Sequence, residues 1–377
     1  MKLLPWELDI LAASETKRIK IVEDKVWGII VKQLATAINK NSLEDSKSTQ
    51  DWLNELLVYR DELQNEIAPP VSEAFDKAIK QLQDQMDDSS NLNLTMEEAW
   101  MANQADQGYL KKAEPLSKSK SVKHAVADHK RDDIKYLKLA KNNMDINAYR
   151  AYKGIIMDTI TRFKAGGTGM TTQKAVARAS YKWADQGIPA LIDKGGKQWA
   201  PDVYTRMVVT NSMNDLYNDV SAARFQDYGG NLVKISSHSD CRPTHLQYQG
   251  QIYSLKGGTD KYPNLYTATN YGYGGGLCGM YCRHHAMPYI PEVNEVLNVP
   301  DVDDKENNRR YHLVQQQRRY ENVLRQGKRR LKAAQAMEDE DEISHCKWLV
   351  NRRSKRLREF VRDNGLTREP YRERPII

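Results

Sequence analysis

The chain has 377 residues, of which 40% are hydrophobic and 28% charged, and its formal net charge is +7. The length suits two or three domains, and the apolar fraction is a little below that of a typical globular domain. No apolar run approaches the roughly 20 residues that a membrane-spanning helix needs. Pro5, Glu7 and Asp9 stand where a signal peptide has its apolar stretch, so secretion by that route is not expected.

The charge is distributed unevenly along the chain. Residues 1–100 contain 11 Lys or Arg and 19 Asp or Glu, whereas residues 305–377 contain 20 Lys or Arg and 11 Asp or Glu. An acidic beginning and a basic end suggest different partners for the two ends. The alternative is that each run of charge is simply a solvated helix face.

The first residues are predicted to form amphipathic helices. Apolar side chains recur at helical spacing over residues 15–40, and Asp51 can cap a second helix that carries Trp52 on its apolar face. Pro69–Pro70 should end this second helix, and residues 71–86 should form a third.

The remainder of this region carries weaker helix signals. Residues 87–93 are interpreted as a linker, and Thr95 with Glu98 as a capping box for a short helix. The Ser- and Lys-rich residues 116–133 are interpreted as mobile. Residues 1–135 are therefore predicted to be an all-helical N-terminal region with little sign of chemistry.

The middle of the chain mixes helices with short strands. A helix is predicted over residues 145–164, and the glycine cluster at 165–169 is interpreted as its C-cap, because no Gly-Lys-Ser/Thr follows it. Thr171 or Thr172 should cap the next helix, which should end at Gly187.

Beyond Gly187 the hydrophobic period changes. Residues 188–199 are predicted to form a hairpin, 201–228 a long helix, 232–235 a strand, and 247–255 to contain a second small strand. The whole stretch 145–300 is interpreted as a small central domain.

The end of the chain, residues 305–377, is predicted to be a helical hairpin with a basic exterior. A helix starts near Asn307, the acidic residues 338–342 interrupt it, and Gly365 closes a second helix. The predicted fold class is therefore α+β: predominantly helical, with a small central domain of short strands and a Cys/His-rich irregular knot, and this C-terminal hairpin.

The most distinctive chemistry lies in two short segments, 238–245 and 278–285, separated by 32 residues. They hold four of the eight His and three of the four Cys, a number of Cys too small for a disulfide scaffold. Thiolate and imidazole groups suit tetrahedral zinc, which a structural site binds with four ligands. The candidate ligands, of which a zinc site would use four, are His238, Cys241, His245, Cys278, Cys282 and His284.

Other interpretations of these residues stay open. Their spacing, H-x2-C-x3-H and C-x3-C-x-H, departs from the common C-x2-C pairs, and a metal-free knot of hydrogen-bonded His and buried Cys fits equally well. Thiol catalysis by Cys241 and His245 is less favoured, because nucleophile and base usually come from separate elements. A metal nuclease would need more carboxylates than Asp240.

These segments resemble the phage minor capsid protein 2 family of tailed-phage head proteins. That family pairs H-x-x-C-R-x-x-H-x-x-x-Q-G, matched by residues 238–250, with G-L-x-G-x-N-C-R-H, matched by 276–284 except that Tyr281 stands where Asn is usual. The resemblance extends to a hairpin and helix at 187–218 and to a Gln/Arg-rich helix at 311–334.

The resemblance covers roughly residue 145 to the end, and it carries functional implications. It implies a minor structural protein of the phage head near the portal vertex, acting in head morphogenesis and in DNA packaging or ejection, related in role to the Mu F-like head proteins. It implies that the protein is made in the host bacterial cytoplasm and ends in the virion. It implies no enzymatic activity. The implied partners are the portal protein and other head proteins, and no membrane association is implied. Residues 1–135 are the expected docking region, because their helices are amphipathic and their surface is acidic.

The basic hairpin suits non-specific contact with phage DNA, because no Asn or Gln pattern for reading base edges accompanies its cations. The alternative is that the acidic residues 338–342, or the acidic front of a neighbouring copy, neutralise the hairpin. The residues expected to contact phosphates are Arg318, Arg319, Arg329, Arg330, Arg352, Arg353 and Arg356.

A distant similarity of this group of head proteins to ADP-ribosyltransferases gives an enzymatic alternative. That activity needs an Arg or His on a strand, a Ser-Thr-Ser-like strand and a Glu-x-Glu pair. Arg206 and Ser212 fall in a predicted helix, and Glu292 and Glu295 form only E-x-x-E. No catalytic residue and no NAD site are therefore expected.

Overall fold

A computed structural model describes residues 5–40, 48–165, 170–294, 303–368 and 370–373. Within these ranges the protein is predominantly helical, with a few short strands in two small sheets. The predicted α+β fold class is thus confirmed. No helix of the described ranges is long and apolar enough to cross a membrane.

The helices of the first half are long and closely spaced in sequence. They are α1 Pro5–Leu11, α2 Ala13–Lys40, α3 Thr49–Val58, α4 Arg60–Asp106, α5 Lys120–Asp132 and α6 Ile134–Ala165. The predicted helix over residues 15–40 is confirmed as most of α2. In α3 the cap is Ser48, whose hydroxyl accepts from the Asp51 amide at 3.1 Å, three residues before the predicted cap.

The second half combines helices with strands. Its helices are α7 Thr172–Gln186, α8 Pro201–Asp227, α9 Leu265–Ala268, α10 Asp304–Ala336, α11 Glu340–Asp363 and α12 Pro370–Glu373. Its strands are β1 Leu191–Ile192, β2 Gln198–Trp199, β3 Leu232–Ile235, β4 Ile252–Ser254 and β5 Ala286–Tyr289.

The expectation that Pro69–Pro70 end a helix is wrong, because α4 continues through both prolines. Each proline removes an N–H donor from the helix ladder. The apolar stripe nevertheless runs on at a spacing of four residues, through Ile67 and Val71 to Phe75, all of them buried. Burial of this uninterrupted stripe outweighs the local preference of proline to stop a helix.

Two further segments are more helical than expected. Residues 87–93, interpreted as a linker, lie within α4, so the backbone is already helical at Thr95 and that residue begins no new helix. Residues 116–133, interpreted as mobile, form a short 3-10 turn and then α5. Ser119 caps the start of α5, because its hydroxyl accepts from the Val122 amide at 3.2 Å.

Helix α7 and the hairpin after it are confirmed in detail. The Thr171 hydroxyl caps α7 by accepting from the Lys174 amide, and Gly187 ends it with a φ of 75°. In the following turn the Asp193 carboxylate accepts from the Gly195 amide at 3.0 Å and from the Trp199 indole at 3.1 Å. The predicted C-cap at residues 165–169 falls, apart from Ala165, outside the described residues.

The larger sheet is antiparallel, with strand order β4-β3-β5. Strands β3 and β4 correspond to predicted strands, whereas β5 was not predicted. Val233 of β3 lies opposite Tyr253 of β4 and Pro288 of β5. The sheet packs into a core that includes Phe225 of α8 and Leu277.

The chain divides into two compact units of interleaved segments. Unit 1 contains residues 1–14, 79–137 and 206–314, and unit 2 contains residues 15–78, 138–205 and 315–377. Each unit therefore draws on all three of the regions distinguished in the sequence, 1–135, 145–300 and 305–377.

The predicted C-terminal helical hairpin is present. The chain leaves α10 through Glu338, whose φ is 54°, and Asp339 caps α11 by accepting from the Glu342 amide at 3.1 Å. Within unit 2, Leu324 of α10 packs with Leu357 and Val361 of α11. The interruption at the acidic residues and the closure at Gly365, with a φ of 60°, are both confirmed.

Candidate functional site

The Cys/His segments lie in irregular backbone of unit 1 that connects β3, β4 and β5. His245 stands in a 3-10 turn, Pro243–Tyr248, and Cys282 and His284 come just before β5. Cys278 and Tyr281 have φ values of 54° and 57°, in the left-handed region. The chain therefore turns tightly here, and short spacings in sequence can direct several side chains inward.

Three of the six candidate metal ligands meet. One ligand atom of each of His245, Cys282 and His284 lies within 4.8 Å of the other two, and all three residues are buried. The Cys282 sulfur is 3.7 Å from His245 Nδ1 and 3.3 Å from His284 Nδ1. Within the described ranges this is the one such group of His, Cys and acidic residues.

The far side of each imidazole is held by an oxygen atom. His245 Nε2 lies 3.1 Å from the carbonyl oxygen of Gly275, and His284 Nε2 lies 3.3 Å from the Gln249 side-chain oxygen. That oxygen also accepts from the His238 amide at 2.7 Å, which fixes the orientation of the Gln249 amide. Both Nε2 atoms are therefore donors, so in the neutral rings each Nδ1 presents a lone pair to Cys282.

Cys278 lies beside the group. A hydrogen bond between its thiol and Cys282, together with burial, raises the pKa of Cys278 well above its usual range. The same hydrogen bond, with those involving the two imidazoles, holds the pKa of Cys282 well below its usual range. The Asn218 side chain donates to the Cys278 sulfur at 3.3 Å.

The other two candidate ligands lie outside the three-residue group. The Cys241 thiol contacts the carbonyl of Arg242 at 3.5 Å, and its amide donates to Asn307 at 3.0 Å. The His238 ring packs against the His284 ring with centroids 4.5 Å apart, and its Nδ1 faces the Ser239 carbonyl at 3.1 Å. His238 Nε2 is buried without a hydrogen-bond partner.

The arginines of the two segments link them to neighbouring parts of unit 1. Arg242 donates to the carbonyls of Gly274 and Met280, both at 3.0 Å, and so links the first segment to the second. Arg283 pairs with Asp9 of α1 at 3.2 Å. These contacts give the arginines of the family signature a structural role.

Sequence reasoning missed the polar side chains that support the group. Asn211 accepts from the Tyr281 amide at 3.0 Å, and Asn218 donates to the His284 carbonyl at 3.2 Å and accepts from the Ala286 amide at 3.0 Å. The available signal was the set Asn211, Asn214 and Asn218, whose spacing places all three on one face of α8.

Two residues weighed for the ADP-ribosyltransferase alternative lie in a helix and not on strands. Arg206 and Ser212 lie in helix α8, as expected, and both are buried. Arg206 pairs with Asp9 at 2.7 Å. The His/Cys group contains no carboxylate, the ligand type that magnesium and calcium prefer.

The arginines expected to contact DNA differ in exposure. Arg329 is only 8% exposed and donates to the Ala184 carbonyl at 2.9 Å, so its guanidinium is not available to phosphate. Arg330 pairs with Glu342 at 2.6 Å, and Arg353 donates to the Val323 carbonyl at 2.8 Å. Of the rest, Arg318 is half-buried, and those exposed to solvent are Arg319, Arg352 and Arg356.

Comparison with known proteins agrees with the resemblance seen in the sequence. The family described as Phage minor capsid protein 2 matches residues 20–362, which is most of the chain. The protein therefore belongs to this family of phage structural proteins. The match begins well upstream of residue 145, so it includes much of the N-terminal region whose sequence carried no recognised motif.

Two curated relatives are also phage proteins. A structural protein of Lactococcus phage LL-H is 32% identical over 236 residues, which are 60% of this chain and 62% of that protein. A structural protein of Lactococcus phage mv4 is 32% identical over 117 residues, 30% of this chain and 92% of that protein. The chain thus spans less than two thirds of the length of the first relative. No solved structure matches.

Proposed function

We propose that this phage structural protein is a minor head component close to the portal vertex, where it takes part in head morphogenesis and contacts packaged DNA. On this proposal it is made in the host cytoplasm, is incorporated into the virion and catalyses no reaction. The observation that carries the proposal is the exposed basic surface of α11. We define the α11 surface as Trp348 and the exposed cations between residues 347 and 362.

The α11 surface combines charge with an exposed aromatic ring. Between residues 347 and 362 the helix has seven Lys or Arg and one acidic residue. Trp348 is 52% exposed, and the Arg352 guanidinium lies 5.2 Å from the centre of its ring. The exposed cations are Lys347, Arg352, Lys355, Arg356, Arg358 and Arg362.

This charge fits a polyanion better than an internal role. Helix α11 packs against α10 through Leu357 and Val361, and its exposed cations lie outside this apolar cluster. The acidic residues between the helices engage a small part of the charge, chiefly through the Arg330–Glu342 pair. Phosphate contact by the exposed cations would be independent of base sequence and strongly dependent on salt.

A salt titration of duplex DNA binding by the full chain tests DNA contact. The double variant Arg352→Gln with Arg356→Gln should make the log–log salt slope shallower by up to about 2, since each neutralised phosphate contributes about 0.9. The matched control is Lys174→Gln with Arg178→Gln, which removes two exposed cations from α7. Equal slopes in the two double variants, or no DNA binding at low salt, would contradict the proposal.

The proposed docking surface for the portal or another head protein is the acidic exterior of α3 and the first part of α4. Exposed carboxylates outnumber cations there, and the apolar stripe of these helices is already buried within unit 2. The surface would therefore attract a basic surface on the partner, and such charge complementarity guides association and specificity. Its exposed carboxylates are Asp51, Glu55, Asp61, Glu62, Glu66, Glu73 and Asp76.

Deleting residues 1–135 would not test this docking, because the deletion removes parts of both compact units. Surface variants are the sharper experiment. Glu55→Lys with Glu62→Lys should lower the number of copies incorporated into heads, whereas Asp260→Lys with Glu292→Lys, an exposed pair in unit 1, should not. Imaging of the portal vertex in wild-type particles tests the location, and density elsewhere in the head would contradict it.

A further inference from the structure

The spacing within the His245/Cys282/His284 group is that of ligands around one ion. Zinc lies about 2.3 Å from a thiolate sulfur and about 2.0–2.1 Å from an imidazole nitrogen. At a tetrahedral angle, these bonds place sulfur and nitrogen about 3.6 Å apart. The two sulfur–nitrogen distances observed here, 3.3 and 3.7 Å, lie on either side of that value.

The group also has more hydrogen-bond acceptors than donors, which favours a bound cation. Because both Nε2 atoms donate to oxygen atoms, both Nδ1 atoms are acceptors in the neutral rings. Without a metal, a neutral group of one cysteine and two histidines has a single proton to place between the Cys282 sulfur and the two Nδ1 atoms, so only one of the two sulfur–nitrogen contacts can be a hydrogen bond. One buried acceptor would then remain without a partner, an arrangement that costs about 1–3 kcal/mol. A metal ion would satisfy the sulfur and both nitrogens together.

The surroundings match those of metal-bound histidines. Such histidines usually donate their second ring N–H to a carbonyl or carboxylate, which fixes the tautomer and orients the ring. His245 has the Gly275 carbonyl in this position, and His284 has the Gln249 amide oxygen. The Gln249 oxygen is in turn fixed by the His238 amide.

We propose that unit 1 contains a structural zinc site in which Cys282 Sγ, His245 Nδ1 and His284 Nδ1 bind the ion and Cys278 supplies the fourth ligand. Cys278 is favoured for the fourth position because it is buried, stands four residues before Cys282 and has its sulfur 3.8 Å from the carbonyl oxygen of His284. Its sulfur lies outside the set of ligand atoms within 4.8 Å of one another, so it would move towards the ion on binding. Four protein ligands would leave no open position for water, as in structural and not catalytic zinc sites.

The donor set selects the class of metal. Thiolate and imidazole favour zinc and related transition metals, whereas magnesium and calcium prefer oxygen ligands, which this group lacks. The ion would join the turn after β3 to the segment before β5, 37 residues apart at His245 and Cys282. Its role would be to hold these two stretches of irregular chain together.

The test is elemental analysis of the full-length protein, purified under reducing conditions from zinc-supplemented cells. We expect one zinc ion per chain in the wild type and its loss in Cys282→Ser and His284→Gln. Cys241→Ser is the matched control, because Cys241 is a buried cysteine of the same signature that lies outside the group, and it should retain the ion. A strong chelator should lower the melting temperature of the wild type.

Cobalt substitution keeps the test decisive if the variants fail to fold. Wild-type protein loaded with Co²⁺ should show the visible absorption of a tetrahedral site and a sulfur-to-cobalt charge-transfer band. Metal-free wild-type protein with a chelator-insensitive melt would overturn the proposal and leave a hydrogen-bonded knot. Zinc retained in Cys278→Ser but lost in His238→Gln would overturn the assignment of the fourth ligand.

Discussion

Polar side chains are mostly buried in the Cys/His knot, residues 236–285 of unit 1, and mostly exposed in the α10–α11 hairpin. The knot buries imidazoles, thiols and amide side chains, and satisfies them with specific hydrogen bonds through irregular backbone. The hairpin buries an apolar seam centred on Leu324 and Leu357 and leaves most of its cations in solvent. The knot therefore depends on exact backbone geometry, whereas the hairpin depends on a repeating pattern of apolar residues.

The largest effect is expected where the knot backbone approaches itself. A Cβ atom at Gly279 would lie 2.0 Å from the carbonyl oxygen of Tyr273, and backbone cannot yield as a flexible side chain can. Gly279→Ala should therefore lower the free energy of unfolding by more than about 3 kcal/mol. Urea denaturation measures this. Gly275→Ala in the same loop, where a Cβ meets nothing within 4 Å, is the control and should change it little.

The hairpin should be sensitive only at its seam. Leu357 is fully buried, so Leu357→Ala should lower the free energy of unfolding by about 3 kcal/mol through lost burial and the resulting cavity. Trp348→Ala removes a larger side chain from the same helix, but from its exposed face, and should cost about 0.5 kcal/mol or less. Equal losses in the two variants would show that the seam is not what stabilises α11.

Arg329 is an exception among the hairpin cations, because it is buried and hydrogen-bonded to backbone carbonyls, as polar groups of the knot are. Its guanidinium donates to the Ala184 and Asp185 carbonyls at the end of α7, at 2.9 and 3.2 Å. Arg329→Met should leave these groups unpaired and destabilise the protein by about 2 kcal/mol. The exposed Arg352→Met should stay within about 0.5 kcal/mol of wild type in the same denaturation assay.

The smallest expected effect is at Tyr281, where a substitution should stabilise the protein and not destabilise it. Tyr281 has a φ of 57°, in a region that Asn adopts more readily than Tyr. Tyr281→Asn, which restores the residue usual in the family signature, should therefore raise the free energy of unfolding by about 0.5 kcal/mol. Tyr273→Asn, at an exposed position without this backbone conformation, should give no gain. A loss at Tyr281 would show that its ring contacts outweigh the backbone strain.

Local sequence signals were sufficient wherever neighbours along the chain decide the structure. The cap at Thr171, the turn around Asp193 and the interruption between α10 and α11 all depend on bonds within a few residues. Such bonds leave a recognisable residue pattern. The hairpin seam was also predictable, because apolar residues at helical spacing mark a buried face in advance.

The failures came from packing between distant residues. Pro69–Pro70 carried a valid local stop signal, but a stripe of buried side chains on both sides kept α4 continuous. Strand β5 includes Met287-Pro288 and shows no alternation, yet a proline is tolerated there because β5 lies at the edge of its sheet. Neither outcome can be deduced without knowing the partner element.

The sequence predicted which segments form the candidate site, but not which of their cysteines and histidines meet. Sequence spacing identified the segments, yet it could not separate Cys282, which meets two histidines, from Cys241, which binds to Arg242 and Asn307. Cys278 and Tyr281 turn the chain through left-handed backbone, so ligand order along the sequence is a poor guide to distance. The same limit placed the buried Arg329 among the expected DNA contacts. Zinc binding, DNA contact and the division into three regions stay predictions.

The two prolines inside α4 also bear on how that helix opens. Neither Pro69 nor Pro70 has an amide hydrogen, and the carbonyls four residues before them accept no helical bond from these positions. Local unfolding on one side of the prolines therefore need not extend to the other side. The parts of α4 before and after them can then exchange amide hydrogen for deuterium at different rates. One continuous helix would then contain two zones of protection, and amide exchange along α4 would reveal a boundary that backbone geometry alone does not mark.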